Sequence, residues 1–315
     1  MHRKKRRLRD FESMLAPRQP LFFIRLFIIA WFFLFLQIPA LTLASSEPVH
    51  PGAPSLSPQQ QGEFLLLRKK YDQALQVFAT LVEEGTEDSS VFRGLIRAYQ
   101  GAGRFHEVES LIQTYLSAHP QSSAANYALG YYYYLVEKDP EAQEWLEAAV
   151  RLNPENALAW NNWGASLERT KSYTFAVEKV KRAIALDPHN LLYFNNLMSV
   201  YEGMGDLGLF FAEFNEYVEN GPRVMAQGYG KAIAIKLRQE AFRLYSQEQI
   251  DGAINKFSEI VEIYQKIEHR EGLVPIYFGL AVLYEEKGDM ETARKYFQEV
   301  LAINPDHIQA RERLK

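Results

Sequence analysis

The chain has 315 residues, of which 47% are hydrophobic and 23% are charged, as is usual for a folded protein. It contains no cysteine, which excludes disulfides, thiolate catalysis and cysteine-based zinc sites. The formal charge of −4 is uneven: residues 1–20 carry seven bases and two acids, whereas the chain from Ser45 onward carries 27 bases and 37 acids. This acidic body argues against a nucleic-acid partner.

The N-terminal region predicts a membrane segment. Residues 1–25 are basic, and the chain from Leu26 to Ser46 has no charged residue. About 20 apolar residues suffice to cross a bilayer, and flanking basic residues tend to stay on the cytoplasmic side. We therefore expect a basic cytoplasmic segment over 1–25 and one hydrophobic helix over 26–44. The remainder of the chain is then expected outside the cytoplasm, on the periplasm-like side.

Two interpretations of residues 26–44 remain open. In the first, the segment is a signal anchor that keeps the protein in the membrane as a single-pass protein. In the second, it is the apolar core of a signal peptide that is cut near Ala44, which would leave a secreted or periplasmic protein. Residues 45–54 then form a linker, because prolines and serines favour an extended, poorly packed chain.

From Ser55 onward, the same residue types recur at a spacing of 34 residues. Over residues 55–224, five units without insertions begin at Ser55, Ser89, Ser123, Ala157 and Leu191. Position 20 of these units holds Ala74, Val108, Ala142, Ala176 and Phe210. Position 32 of the second to fifth units holds Pro120, Pro154, Pro188 and Pro222. The larger Val108 and Phe210 predict looser helix packing in their two units.

Each unit is predicted to form two short helices. A small residue where the helices cross lets their backbones approach, and a proline near the end stops the second helix. One such hairpin cannot bury its own apolar face, but stacking the next hairpin on it does. The period therefore predicts an all-α solenoid of helix-turn-helix repeats.

The period loses its phase over residues 225–233. A sixth unit in a new phase starts near Ala234, lacks the proline, and has a second helix that is predicted to run on through Gln265. A seventh unit starts at Val274, so residues 234–307 hold two further repeats. We expect a flexible bend at 225–233 between the two blocks, and a polar capping helix over 308–315.

The repeats resemble the tetratricopeptide repeat family. The family pattern has an aromatic residue near position 4, Leu-Gly at 7–8, an aromatic at 11, alanine at 20, an aromatic at 24 and proline at 32. The units 123–156, 157–190 and 274–307 match this pattern best. The resemblance implies a right-handed superhelix that acts as a protein–protein interaction scaffold. It also implies that positions 2, 5, 9, 12 and 13 of each first helix line a concave groove for a peptide or protein segment.

Carried over to this chain, those groove positions give a set of candidate binding residues: Arg93, Arg97, Gln100, Tyr127, Tyr131, Tyr134, Asn161, Arg169, Asn195, Arg238, Phe242 and Tyr245. The same positions also hold Glu168, Glu202, Phe278, Glu285 and Glu286. The arginines are expected to meet acidic groups and the tyrosines apolar or aromatic ones. Arg93 and Arg97 are equally compatible with a solvated helix face. The Lys/Asn/Asn/Lys/Arg set with which some members grip a C-terminal carboxylate is not found in phase.

No catalytic or metal-binding pattern is found. The seven histidines show no metal-ligand spacing, and the chain lacks a GxxxxGK[ST] loop and a GxSxG motif. We therefore expect no enzyme activity, metal or cofactor. Two alternatives to a peptide-binding scaffold remain: an accessory protein that handles carbohydrate or another polymer through groove aromatics, and a homo-oligomer assembled through the array itself.

Overall fold

The computed structural model describes residues 56–315, and this part of the chain is entirely helical. It comprises 15 α-helices and one short 3₁₀ turn, and no strand occurs among these residues. The basic segment, the hydrophobic helix and the linker that the sequence predicts all lie outside the described residues. Between residues 56 and 315, no helix is both long and apolar enough to span a membrane.

The helices form seven pairs and a final short helix. The pairs are α1 (Pro58–Leu67) with α2 (Tyr71–Glu83), α3 (Ser89–Gly101) with α4 (Val108–Ala118), α5 (Ser123–Leu135) with α6 (Asp139–Leu152), α7 (Ala157–Arg169) with α8 (Tyr173–Leu186), α9 (Leu191–Met204) with α10 (Leu207–Asn220), α11 (Arg223–Ser246) with α12 (Ile250–Lys266), and α13 (Arg270–Lys287) with α14 (Met290–Ile303). The 3₁₀ turn Phe105–Glu107 precedes α4, and α15 (Ile308–Arg313) closes the array.

The turn inside each pair is closed by one residue with positive φ. In the first five units this residue recurs at the 34-residue spacing, and the full set is Lys69, Gly103, Glu137, Lys171, Gly205, Glu248 and Gly288. Glycine adopts this conformation without strain, whereas lysine and glutamate do so at a cost. The repeat therefore imposes the same backbone at this position even where the side chain disfavours it.

The first helices of units two to five each begin with a polar cap. Asp88, Ser122, Asn156 and Asn190 each accept a hydrogen bond from a backbone N–H of the first turn. These caps satisfy amide groups that have no partner within the helix. They fix where each first helix begins and so keep the repeats in register.

Small residues allow the two helices of a unit to approach closely. Ala142 and Ala176 are fully buried at position 20, and a Cβ added to Gly130 would lie 2.6 Å from Leu146 Cγ. In units two and five the larger Val108 and Phe210 are also fully buried at this position. The paired helices there contact each other less extensively than in units three and four, because the larger side chains hold the backbones apart.

The first helices line the inner side of the array. Contacts join the first helices of neighbouring units directly, from α1 to α3 and onward through α5, α7 and α9 to α11. No contact of similar extent joins neighbouring second helices in the described part of the chain. Stacked pairs that touch more on one side curve toward that side, so the groove is lined by the first helices.

Residues 225–233, where the sequence loses its phase, are helical. They belong to α11, a single 24-residue helix. Tyr229 is buried there, with its ring 5.2 Å from that of Phe194 and 4.7 Å from that of Phe210. A single apolar core continues from Leu167 to Ala310. The extra residues therefore lengthen the first helix of unit six, and their packing gives no support to the flexible bend expected there.

The apolar core is instead divided inside unit four. One cluster of buried apolar residues ends at Ala159 and the next begins at Leu167, both within α7. Between them lie the buried polar residues Asn161, Asn162 and Ser166. Trp160 and Trp163 pack against both clusters, as expected for residues with a packing role.

Candidate functional site

Polar contacts join the inner helices of successive units. The Arg97 guanidinium lies 3.1 Å from the Glu63 carboxylate, and Asn196 donates to Asn161 at 2.9 Å. Lys236 donates to both carboxylate oxygens of Glu202, at 2.7 and 2.8 Å. We call the polar and ionisable residues that follow this path the inner strip: Glu63, Arg93, Arg97, Tyr127, Tyr131, Asn161, Asn162, Glu168, Asn196, Ser199, Glu202 and Lys236. The strip therefore runs across units one to six.

Arg93 has the most unusual environment in the inner strip. Its Nε is shielded from solvent and finds no hydrogen-bond acceptor among residues 56–315. Burial lowers the pKa of Arg93, but the surrounding Tyr127, Tyr131 and Glu63 outweigh this and raise it. The nearby carboxylate of Glu63 is already paired with Arg97. Arg93 is thus a permanently charged group that lacks a hydrogen-bonded counter-ion in the described part of the chain.

Tyrosines from units three and five surround Arg93. Tyr127 is fully buried and stacks on Tyr131, with ring centroids 5.9 Å apart and the planes nearly parallel. Burial raises the pKa of both phenols, and burial with Asp187 raises the pKa of Tyr193 to about 12. All three phenols are therefore neutral at physiological pH. They can donate hydrogen bonds but cannot neutralise the guanidinium.

Asparagine amides continue the polar path from Tyr127. Asn162 donates to the Tyr127 hydroxyl at 3.4 Å, and Asn161 donates to Asn162 at 3.1 Å. Asn161 is almost fully buried, so it stabilises the contact between units and presents little surface to a partner. Asn195, predicted at the groove, is partly buried on α9, but its neighbour Asn196 makes the contact to unit four.

Arg169 makes contacts that differ from those expected of a groove residue. Its Nε and Nη2 donate to Asp139 at 3.0 and 2.6 Å, and Nη2 also donates to the Tyr134 carbonyl oxygen at 2.7 Å. The guanidinium lies 4.0 Å from the centre of the Tyr134 ring. Arg169 therefore joins the turn of unit three to α7, and we leave it and Tyr134 out of the proposed partner contacts.

The remaining predicted residues are spread more widely. Gln100 is exposed at the end of α3, and Arg238 is partly buried on α11. Phe242 packs edge-to-face on Phe257, and the Tyr245 hydroxyl donates to Glu286 at 2.8 Å. The structure thus brings Arg93, Arg97, Tyr127, Tyr131 and Asn161 together in units two to four, while the predicted residues of unit six lie apart from them.

Several inner-strip residues escaped the sequence prediction, among them Glu63, Ser199 and Lys236. One signal was present: Glu63 and Arg97, like Glu202 and Lys236, are opposite charges separated by one repeat length. Residues one period apart occupy equivalent positions on adjacent inner helices, so opposite charges at that spacing indicate a contact. Glu168, by contrast, accepts from Ser199 at 2.6 Å across 31 residues, and no fixed spacing would reveal it.

The site offers no arrangement for a metal ion. Within the described residues, no group of three or more histidine, aspartate or glutamate side chains is placed to hold one. The chemistry that the inner strip does offer is hydrogen bonding and ion pairing, from amides, phenols and guanidinium groups.

Similar proteins are known by sequence and by structure. The peroxisomal targeting signal receptor of Yarrowia lipolytica is 25% identical over 167 residues, which is 53% of this chain and 27% of the receptor. The C-terminal part of a TPR repeat-containing protein from Cytophaga hutchinsonii is 18% identical, with 82% of this chain and 99% of that chain covered and a TM-score of 0.40. YrrB, described as a TPR protein with an unusual peptide-binding site, is 17% identical, with coverages of 75% and 96% and a TM-score of 0.32.

The sequence also matches the tetratricopeptide repeat family itself. Three separate stretches match it, over residues 65–130, 139–190 and 233–306. Together these stretches cover more than half of the chain and include parts of every unit except unit five. With the helix pairs, the recurrent turns and the stacked inner helices, they show that the chain belongs to the tetratricopeptide repeat family.

Proposed function

We propose that the protein is a non-catalytic scaffold that binds an extended segment of a partner protein along its inner strip. Tetratricopeptide repeat proteins mediate protein–protein interactions and are typically not enzymes. The chain spans about a quarter of the curated relative that it matches, so that receptor's function is not transferred here.

The observation that carries the proposal is the polar character of the inner strip. The interior of a helical array is normally filled by apolar side chains, because a buried polar group must keep a hydrogen-bond partner. Here Arg93 is partly buried, and Tyr127 and Asn161 are almost fully buried, on the first helices of units two to four. Polar groups that line a groove give a bound segment its orientation and specificity.

The dimensions of the groove favour an extended segment. Packed helices lie about 8–10 Å apart, and an extended chain advances about 3.3 Å per residue. One repeat of the inner face therefore corresponds to about three residues of a bound chain. Units two to five would contact roughly nine residues of the partner.

Site-specific photo-crosslinking in the native cell tests the proposal. A benzophenone amino acid is placed at Tyr131 on the inner face, and at Phe175, which is 61% exposed on the second helix of unit four. We expect position 131 to yield a discrete adduct, with the crosslinked sites confined to one short segment of the partner. Adducts from position 175 alone, or none from position 131, would contradict the proposal.

We further propose that the repeats lie outside the cytoplasm. The support is the basic stretch followed by the uncharged run from Leu26 to Ser46. Membrane fractionation combined with N-terminal sequencing of the native protein distinguishes a retained signal anchor from a cleaved signal peptide. A retained N-terminus in the membrane fraction indicates the anchor, and a mature chain that starts near Ser45 indicates cleavage.

The structure bears differently on the two alternative functions. Sugar stacking requires an exposed aromatic face, whereas Tyr127 is fully buried with Tyr131 stacked on it. That contact weakens the carbohydrate-handling alternative. Self-association of the array is tested by light scattering over a range of protein concentrations, and a mass equal to one chain throughout would exclude it.

A further inference from the structure

We propose that Arg93, with Tyr127, Tyr131 and Tyr193 around it, forms a niche that binds one carboxylate group of the partner. This inference rests on the proposed function and specifies the chemical group that anchors the bound segment. The inference is based on the environment of the Arg93 guanidinium, around which the array places tyrosines from units three and five.

Arg93 has unmet hydrogen-bonding capacity in the described part of the chain. No ion pair among residues 56–315 includes it, and its buried Nε has no acceptor there. A buried donor left without an acceptor costs about 1–3 kcal/mol, and more when the group is charged. A side chain that carries such a cost in the free protein gains most from a ligand that supplies the acceptor.

The geometry of an arginine side chain indicates which acceptor Arg93 would bind best. The Nε–H and one Nη–H of an arginine form a planar fork that matches the two oxygens of a carboxylate. Arg93 as a whole is only partly buried, so its side chain keeps some exposed surface although its Nε is shielded. The phenols of Tyr127, Tyr131 and Tyr193 stay neutral and supply further donors close to the bound anion.

The net charge around Arg93 favours a ligand group with one negative charge. Arg97 is paired with Glu63, so Arg93 alone supplies the uncompensated positive charge. The carboxylate of Glu63 also lies close enough to act on Arg93 and Tyr131. A dianionic phosphate group would meet that negative charge with a single guanidinium to balance it, whereas a monoanionic carboxylate is matched by Arg93 alone.

The niche is assembled from residues of different repeat units. Tyr193 belongs to unit five and Arg93 to unit two, yet the charge of Arg93 acts on Tyr193. The array is wound tightly enough for Asn156, the last residue of unit three and the N-cap of α7, to donate to Ser89 of unit two at 2.8 Å. The niche therefore exists only in the stacked array, where units two, three and five converge, and no single repeat could form it.

Affinity selection with defined peptide pools tests the proposal. The full chain in mild detergent is offered random decapeptides in four pools, with free or amidated C-termini, and with or without aspartate and glutamate. We expect enrichment only in pools that contain a carboxylate. Enrichment in the free-acid pool that lacks acidic residues assigns the α-carboxylate, and enrichment in the amidated acidic pool assigns a side chain. Equal enrichment in the amidated pool without aspartate and glutamate would overturn the proposal, and so would a lack of enrichment in every pool. Tighter binding of a phosphorylated form of the selected peptide would also overturn it.

Variants of the niche then assign the effect to Arg93. For a selected peptide, Arg93→Gln should weaken binding roughly 10- to 100-fold, the loss of hydrogen bonds to a charged group. Arg93→Lys should weaken it less, because the charge remains and only the fork is lost. Unchanged affinity in Arg93→Gln overturns the proposal, and persisting crosslinks from position 131 in that variant would leave the broader scaffold function intact.

A variant that strengthens binding guards against effects of misfolding. Glu63→Gln removes the negative charge near the niche and should tighten binding of the carboxylate peptide at least about threefold, more at low salt than at high salt. The amidated, uncharged version of the same peptide should show no such gain. Weaker or unchanged binding of the carboxylate peptide in Glu63→Gln, with the melting temperature maintained, contradicts the assignment.

Discussion

Units two to four and units five to seven are built from the same repeat but are held together differently. In units two to four, buried asparagines, serines and a phenol join neighbouring helices, as where Asn156 donates to both Ser89 and Ser123. In units five to seven, aromatic and aliphatic side chains form one continuous core, with Phe210 and Tyr229 among its fully buried members. The same helix-pair geometry therefore supports two kinds of interface.

Polar contacts and apolar packing contribute differently to specificity and to stability. Apolar burial stabilises without direction, whereas a polar network requires each member to keep its partner. The polar units also contain Arg93 and the stacked tyrosines of the inner strip. Under the proposed function, units two to four would hold the groups that distinguish partners, and the continuous apolar core of units five to seven would stabilise the array that holds them.

The largest expected effect is in the apolar units. Phe210 is fully buried against Tyr201 and Tyr229, so Phe210→Ala leaves a cavity and should destabilise the fold by about 3–5 kcal/mol. Urea unfolding followed by circular dichroism measures this change in the free energy of unfolding. Phe175→Ala, at an exposed position on a second helix, is the matched control and should change stability by less than about 0.5 kcal/mol. Equal losses in both variants would refute the comparison.

A smaller loss is expected in the polar units. Asn156 caps α7 through the Ala159 amide and donates to Ser89 and Ser123, so Asn156→Ala should cost about 1–3 kcal/mol. The same unfolding experiment measures it, with Asn255→Ala on the exposed face of α12 as the control. A stability loss no greater than that of the control would show that the polar contacts of Asn156 with Ser89 and Ser123 are not stabilising.

Hydrogen exchange tests the continuity of the array at residues 225–233. Because these residues lie inside α11 and Tyr229 packs into the core, their amides should be protected as well as those of 234–245. Exchange read by mass spectrometry over 215–245 provides the measurement. Fast exchange confined to 225–233 would restore the flexible bend that the loss of phase suggested.

The smallest effect concerns pH at the C-terminal end. Burial lowers the pKa of His307, whose Nδ1 accepts from the Ala310 amide and caps α15. The unfolded chain therefore binds this proton more readily than the folded one, so the cap's contribution is present above about pH 6.5 and is lost as pH falls. After correction for the slower intrinsic exchange in acid, protection of the Ala310 amide should be lower at pH 5.5 than at neutral pH, for a cap worth about 1 kcal/mol. The change should be absent in His307→Asn, which keeps a capping side chain without the titration.

Much of the fold was predictable from the sequence. Buried small residues at position 20 and terminating prolines at position 32 report local packing, which the residues of one unit determine between themselves. The seven helix pairs follow from them. The continuous helix over 225–233 was not predictable, because a loss of phase in the repeat resembles a break even when helical residues fill it.

The candidate site was predictable only in part. Position in the repeat placed Arg93, Tyr127 and Tyr131 on the inner side, but it did not show that Arg169 would bind Asp139 and the Tyr134 carbonyl. Contacts such as that between Asn156 and Ser89 depend on how tightly the whole array winds. That winding is the sum of small rotations between units, and no single repeat encodes it.

The most direct test of the central claim compares hydrogen exchange in the full chain with and without the partner segment identified by crosslinking. If the partner binds along the inner strip, exchange should slow in the inner helices of units two to five, within 89–101, 123–135, 157–169 and 191–204, and should not change in 290–303. Slower exchange confined to units six and seven, or to second helices such as 173–186, would show that the partner binds elsewhere.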